Sequence, residues 1–405
     1  MIRKVVIVHT DFRLYWPSRL RQLNHYLSLK GVELYIVEIA GKGSPYSFDV
    51  ATAPVGELRW FQLFTSRAME EIGAGEAVDA VIQKLDELDP DVVIAGPIAF
   101  PSGSAAARWC SRKKRPVVVF DDARLDDVPR PWYVDWVKRQ VYSLVDAMVI
   151  PAPSHDSTYR YFGFQKGQLF YGVNVVDNTF FCRHGETAGF SRQEPFLQFS
   201  FLLCVGRQIP KKNWKKLLMA FRNIAGNLHA VAWSLVFIGD GPEHGELVAL
   251  AGDLLDRQIF FVPFRQQSEL VHYYHKASAL VLPSLFGETW GLVVNEAMVA
   301  GLPILVSEKC GCAEALVKDG ENGFVFDPDS QEEIEGVLER FVALDSGSRR
   351  EMGDVSRNII ADWGLERFCR GMWDAVVSAQ VKGKRRGTLA GRIIIRFWNG
   401  RYCPA

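Results

Sequence analysis

No apolar run in this 405-residue chain reaches the ~18 residues that a membrane-crossing helix requires, so no segment reads as a span. Charge of one sign is missing too. Lys and Arg together number 47, Asp and Glu together 47, and the formal net charge is zero. A dedicated nucleic-acid binder needs a large basic excess, so that class is set aside. Cysteine is sparse and scattered at Cys110, Cys182, Cys204, Cys310, Cys312, Cys369 and Cys403, an odd number with no framework spacing. Reduced thiols in a cytoplasmic protein are the expectation. Cys310 and Cys312 lack a second Cys/His pair at ligand spacing, so they read as buried loop thiols. The opening "MIRKVVIVHTDF" holds only a short apolar run closed by Asp11, and reads as a first strand rather than a leader. There is no low-complexity segment and no short-period repeat.

What is present is ordinary globular composition: 48% hydrophobic and 23% charged residues exclude disorder and fibrous classes. The length predicts two or three domains. Short apolar runs alternate with amphipathic stretches. "KVVIV", "ELYIVEI", "DVVIA", "PVVVF" and "DAMVI" read as buried strands; "SRLRQLNHYLSLKG" and "EAVDAVIQKLDEL" read as helices between them. That alternation predicts βαβ units and a parallel sheet. The pattern weakens from Asp177 to Ser200, which reads as a linker. A second series follows in "FLLCVG", "WSLVFIG", "QIFFV", "ALVLP" and "PILVS". The expected fold is therefore α/β, with two doubly wound Rossmann-like domains facing each other across a cleft. Ligands of such sheets bind at the carboxyl ends of the strands.

Two stretches carry chemistry. "FGETWGLVVNEAMVAGLP" places Glu288 and Glu296 eight residues apart in an otherwise apolar, glycine-hinged segment. A helix opening near Gly291 would present the amides of Gly291, Leu292 and Val293 at its positive end, a site that favours phosphate. A carboxylate on either side can accept hydrogen bonds from the hydroxyls of a sugar. The second stretch, "VGRQIPKKNW", follows a strand that ends at Gly206. Arg207 and Lys212 lie five residues apart across a turn, where two cations can neutralise a diphosphate. Lys211, Lys215 and Lys216 read as a solvated helix start.

"GRQIPKKN", "FIGDGP", "FGETWGLVVNEAMVAGLP" and "KDGENGFVFDP" occur in that order with ordinary spacing. Together they resemble the nucleotide-binding domain of family-4 retaining glycosyltransferases, which have the GT-B fold and an E-x7-E motif. The resemblance covers about Phe201 to Asp345. It implies an N-terminal acceptor-side domain at residues 1–188, with a segment of about 366–405 packing back on it, and a nucleotide-sugar-binding domain at 189–365. It implies that Arg207, Lys212 and Glu288 act in catalysis. Gly206, Gly291, Leu292, Val293, Glu296 and Arg265 would bind the nucleotide sugar, with Glu296 on the ribose, Glu288 on the transferred sugar and Arg265 near the base. The implied reaction is a retaining, metal-independent transfer of a hexose-type sugar from a nucleoside diphosphate sugar to a hydroxyl. The acceptor would be a saccharide or glycolipid in cell-surface polysaccharide or lipopolysaccharide biosynthesis. The resemblance implies no cofactor, and a cleft that closes to exclude water.

The sequence departs from the family in two places. After the first strand, "HTDFRLYWPSRL" has no glycine pair but carries Tyr15 and Trp16, with Arg13 and Arg19 as basic neighbours. After "PVVVF", the family's histidine is replaced by Asp121 and Asp122. His9, Asp121 and Asp122 are thus candidates for the acceptor or sugar side; a turn histidine and turn or helix-cap carboxylates are the competing readings. A nucleotide-sugar epimerase on the same fold and a non-catalytic nucleotide-sugar-binding protein stay open as alternatives. Finally, Lys382 to Arg401 carries seven basic and no acidic residues, interleaved with Ile393, Ile394, Ile395, Phe397 and Trp398. That composition suits an anionic membrane surface, with peripheral attachment to its inner face; a tail packed back on the protein is the other reading.

Overall fold

The computed structural model describes residues 2–42, 58–127, 129–183, 194–225, 233–385 and 387–401. Seven strands form the first sheet: β1 (Lys4–His9), β2 (Glu33–Ala40), β3 (Arg59–Phe64), β4 (Val92–Ala95), β5 (Val117–Phe120), β6 (Ala147–Ile150) and β7 (Leu169–Tyr171). Their order is β3-β2-β1-β4-β5-β6-β7, with every pairing parallel. Six strands form the second: β8 (Ser200–Val205), β9 (Trp233–Ile238), β10 (Ile259–Val262), β11 (Ala279–Leu282), β12 (Ile304–Ser307) and β13 (Gly323–Phe326). Their order is β10-β9-β8-β11-β12-β13, again all parallel.

Parallel sheets are covered on both faces, so their strands are continuous apolar runs. Val5, Val6, Ile7 and Val8 of β1 are all fully buried, as are the strand residues Val92 to Ala95 of β4. β3 lacks that signature. It is an edge strand whose residues are half-buried or exposed, and its Arg59 pairs with Glu33 of β2 at 2.8 Å. In each sheet the order reverses beside the first strand, β1/β4 in one and β8/β11 in the other, which is where doubly wound sheets open a crevice.

The chain divides into two compact units, one of Met1–Leu125, Pro129–Val175 and Leu365–Ala405, the other of Asp126–Val128 and Val176–Gly364. The first break thus falls ahead of residue 188. The stretch read as a linker is also partly ordered: Asn178–Phe181 is a helix whose Asp177 cap accepts from the Thr179 and Phe180 amides. Residues 184–193 of that stretch lie outside the described residues. The Leu365–Lys382 helix belongs to the first unit. Its Phe368, Cys369, Met372, Ala375, Val376 and Ala379 pack with Leu20, Leu23 and Leu27 of the Trp16–Ser28 helix in one core.

Candidate functional site

β8 and β11 are adjacent, so the loops leaving their carboxyl ends lie side by side. After β8 the chain passes Gly206 and makes one 3-10 turn at Pro210–Lys212 before the Trp214–Ala225 helix. The Trp214 indole nitrogen donates to the Arg207 carbonyl at 3.0 Å and closes this loop. After β11 the chain makes the loop that carries Glu288, then enters the Leu292–Ala300 helix through Gly291. The two loops are stitched by the Leu285 amide, which donates to the Lys211 carbonyl at 2.8 Å.

Lys212 meets Glu288 at the centre of this constellation. The ammonium lies 2.5 Å from Oε2 of Glu288, and the two side chains are only 11% and 13% exposed. The Ser284 hydroxyl donates to the same oxygen at 2.9 Å. Burial disfavours the charged carboxylate, but Lys212, with smaller help from Lys211 and Ser284, outweighs it and holds the Glu288 pKa below its ordinary value. The Glu288 carboxylate is thus ionised at neutral pH.

That helix start is built around Gly291, whose φ of +103° lies in the left-handed region. A Cβ there would stand 2.9 Å from Leu282 Cδ2 and 3.7 Å from Glu288 Cγ, so only glycine fits. The amides of Leu292 and Val293 open the helix, where no carbonyl of the helix itself reaches them. The hinge is fixed from several sides. The Gly311 and Cys312 amides donate to the Glu288 and Trp290 carbonyls at 2.9 and 3.2 Å. The Trp290 indole donates to Asn295 Oδ1 at 2.9 Å and stacks on Trp363 with ring centroids 5.4 Å apart. Cys310 and Cys312 are buried in the same loop. Among the described residues no group of three His, Cys, Asp or Glu is placed to hold a metal ion.

The structure therefore brings Gly206, Arg207, Lys212, Glu288, Gly291, Leu292 and Val293 to one corner of the second sheet. Glu296 lies one turn further along the helix, 1% exposed, and the Tyr274 phenol donates to its Oε2 at 2.5 Å. Sequence reasoning missed Tyr274 and Ser284. Tyr274 lies on a separate helix 22 residues away; Ser284, four residues before Glu288, was within reach of a spacing argument. Arg265 stands apart, after β10, two strands from β8, and its Nε lies 3.9 Å from Glu269.

His9, Asp121 and Asp122 belong to the other unit. His9 ends β1 and is ringed by Phe12, Trp16 and Phe120 at centroid distances of 5.7, 5.4 and 5.1 Å. Its Nδ1 has no hydrogen-bond partner among the described residues. The loop beneath is held by Glu38, which accepts from the Phe12 amide, the Trp60 indole and the Gln62 amide. Arg19 is 3% exposed and is spent on the Val175 carbonyl, which its Nε and Nη2 reach at 3.1 and 2.6 Å. Asp121 is 7% exposed and accepts from the Tyr142 phenol at 3.0 Å and the Ala123 amide at 3.2 Å. Asp122 accepts from Asn174 at 2.9 Å.

Burial lowers the His9 pKa from 6.5 to about 4, against the raising influence of Asp11 and Asp122 and with that of Arg19. The unfolded chain therefore binds a proton that the folded chain refuses between those values. Stability is lost as the pH falls from 6.5 towards 4, by an amount on the order of 3 kcal/mol. Unfolding measured across that range should show His9→Gln losing less stability than wild type, and parallel curves would contradict the buried, neutral imidazole.

Two all-parallel α/β sheets, each doubly wound, with a glycine-hinged helix start beside a lysine–carboxylate pair in the second, have the GT-B fold. Residues 190–358 of the chain match the family described as Glycosyl transferases group 1. Over 175 residues the chain is 30% identical to an uncharacterized glycosyltransferase of Haemophilus influenzae, covering 42% of this chain and 47% of that protein. It is 26% identical over 245 residues to the amylovoran biosynthesis glycosyltransferase AmsD of Erwinia amylovora, covering 58% and 63%. The chain thus spans about half the length of the curated relatives it matches. Among solved structures, Anabaena HepE in complex with UDP and glucose superimposes with a TM-score of 0.70 at 14% identity, over 93% of this chain and all of that one. At that identity the likeness is one of fold.

Proposed function

We propose that this protein is a retaining, metal-independent glycosyltransferase that moves a hexose-type sugar from a nucleoside diphosphate sugar to a hydroxyl of a saccharide or glycolipid. The observation that carries the reading is the Lys212–Glu288 pair beside the Gly291 helix start. A diphosphate at that corner would meet the Lys212 ammonium, the Arg207 guanidinium and the Leu292 and Val293 amides. As the sugar–phosphate bond breaks, negative charge grows on the departing diphosphate and these groups stabilise it more than they stabilise bound donor. The sugar passes through an oxocarbenium-like state, the acceptor oxygen bonds to the same face, and the leaving phosphate takes the acceptor's proton. Glu288 and Glu296 are assigned to donor hydroxyls on either side. For Glu296 this needs the ribose to share the carboxylate with Tyr274. The relative named for amylovoran biosynthesis and the fold neighbour holding UDP and glucose support a nucleotide-sugar donor and a polysaccharide or glycolipid product.

One observation favours a second reading, binding without turnover: the end of β1 is filled by the His9, Phe12, Trp16 and Phe120 rings, packed tilted and edge to face. Thermal unfolding with UDP, GDP, ADP and their sugar conjugates, followed by assay of diphosphate release, separates the two. Ligand at 100 times its dissociation constant stabilises by ~2.7 kcal/mol, or roughly 5–10 °C for a domain of this size. A shift with one nucleotide, lost in Glu296→Ala and accompanied by sugar transfer, is the expected result. A shift with no turnover of any donor would favour the second reading, and no shift at all would contradict both.

A further inference from the structure

Two helices of the amino-terminal unit hold large apolar side chains in solvent that their own packing does not use. The Trp132–Tyr142 helix buries only Val141 and Tyr142. It leaves Trp132 78%, Tyr133 56% and Trp136 47% exposed. The Leu389–Ile394 helix and the turn that continues it leave Leu389 68%, Ile393 50% and Phe397 80% exposed.

The tail is nevertheless firmly docked, through its other face. Ile395 is 2% exposed in the core, with Ile394 and Trp398 packed against that core. The Trp398 indole donates to the Ile98 carbonyl at 2.8 Å. Arg108 donates to the Ile395 and Trp398 carbonyls at 2.8 and 2.9 Å and to Asn399 Oδ1 at 2.7 Å. Of the apolar residues that composition alone assigned to a lipid surface, Ile394, Ile395 and Trp398 therefore face the protein. The outward set is Leu389, Ile393 and Phe397. Their i, i+4, i+8 spacing puts them on one face of a helical run, which the Phe397 and Trp398 amides extend by donating to the Ile394 carbonyl. The exposed Arg392 and Arg396 flank that face.

The two helices touch. Gly391 approaches so closely that a Cβ on it would stand 2.3 Å from the Gln140 carbonyl oxygen. Thr388 donates from its hydroxyl to Gln140 Oε1 at 2.7 Å and from its amide to the Ser143 hydroxyl at 3.0 Å. Trp132, Trp136 and Gln140 form an i, i+4, i+8 row, so the tryptophan row leads directly to the tail helix.

Charge identifies the occupant. Lys382 to Arg401 has no acidic residue, and Arg139, Arg392 and Arg396 are exposed. The acidic side chain of the neighbouring helix, Asp135, is turned to Arg130 at 3.1 Å, with both side chains mostly buried. Exposed tryptophan, tyrosine and aliphatic groups beside cations of one sign match the interface of an anionic bilayer, where aromatic rings sit at headgroup level. Among the described residues no helix is long and apolar enough to cross a membrane. We infer that Trp132, Tyr133 and Trp136 together with Leu389, Ile393 and Phe397, flanked by Arg139, Arg392 and Arg396, form a docking face for an anionic lipid surface, on which the amino-terminal unit lies without crossing it. The inference does not rest on sugar transfer and is read without turnover.

The test is co-sedimentation of the full chain with phosphatidylcholine vesicles with and without phosphatidylglycerol, at low and high salt. Wild type should bind the phosphatidylglycerol vesicles, more weakly as salt rises, and bind phosphatidylcholine alone far less. Ile393→Ser/Phe397→Ser and Trp132→Ser/Trp136→Ser should each weaken binding tenfold or more. Arg392→Gln/Arg396→Gln should weaken it by ~20-fold, about fivefold per charge at an anionic surface. Leu29→Ser removes a 74% exposed leucine at the end of the Trp16–Ser28 helix and should change nothing. All variants should keep the wild-type melting temperature and nucleotide response. Equal binding by wild type and the double variants, or equal binding to both lipid compositions, would overturn the inference. So would self-association that replaces vesicle binding and is lost in Ile393→Ser/Phe397→Ser, which would assign the face to a second copy of the chain.

Discussion

Lys212→Ala should lower kcat, read as release of nucleoside diphosphate from the donor, by ~10²–10³, the size of effect seen when one donor to a developing charge is removed. KM should change less, because the ammonium is assigned to charge that appears mainly in the transition state. The structure adds a complication that decides how the variant must be read. Lys212 is also the partner of Glu288 at 2.5 Å in a mostly buried pair. Removing one partner of a buried pair leaves the other charge uncompensated and costs ~3–5 kcal/mol; the remaining exposure and the Ser284 hydroxyl place this case at the lower end. Loss of activity could then be mistaken for loss of fold. The double variant Lys212→Ala/Glu288→Gln separates the two, since it removes both charges. It should recover most of the melting temperature and none of the turnover. Wild-type kcat in Lys212→Ala would remove the ammonium from the chemistry.

Gly291→Val should have the second large effect. Valine is β-branched and would have to adopt a φ of +103° with its Cβ 2.9 Å from Leu282 Cδ2. Strain of this kind costs ~1–3 kcal/mol, or roughly 2–10 °C in the melting of a unit of this size. The larger consequence is positional. The amides of Leu292 and Val293 are aimed by this hinge, and hydrogen bonds to charged groups are worth ~1.5–3 kcal/mol each, so diphosphate affinity should fall by ~10–100-fold. Gly287→Ala is the control. Gly287 also has positive φ, +63°, but a Cβ there would meet nothing within 4 Å. That variant should lose some stability and keep its affinity. Equal affinity in wild type and Gly291→Val would separate the helix start from the ligand.

Much of the fold was legible because parallel strands are covered on both faces and leave unbroken apolar runs such as "KVVIV" and "PVVVF". β3, β7 and β13 were not. β3 is a half-buried edge with an arginine and a glutamine in it, β7 is three residues long, and β13 is four residues opening on a glycine, so none offers periodicity. The corner around Lys212, Glu288 and Gly291 was legible because each loop is a contiguous motif at the end of a strand. What completes it comes from elsewhere in the chain: Tyr274 on Glu296, and Trp363 stacked on Trp290. No spacing rule links residues that meet only through the packing of separate elements. The same limit applies to Asp121, whose Tyr142 partner lies on a helix one crossover later, and to the tail, where composition could not distinguish Ile393 from Ile394.

The most direct measurement is a calorimetric titration, in the presence of a chelator, of the nucleoside diphosphate selected by the thermal screen and of the corresponding monophosphate. Wild type should bind the diphosphate ~10–100-fold more tightly, and both Lys212→Ala and Gly291→Val should lose that preference while retaining the weaker, monophosphate-like affinity. Equal affinities in wild type, or a preference that survives in both variants, would contradict a diphosphate held between Lys212 and the Gly291 helix start.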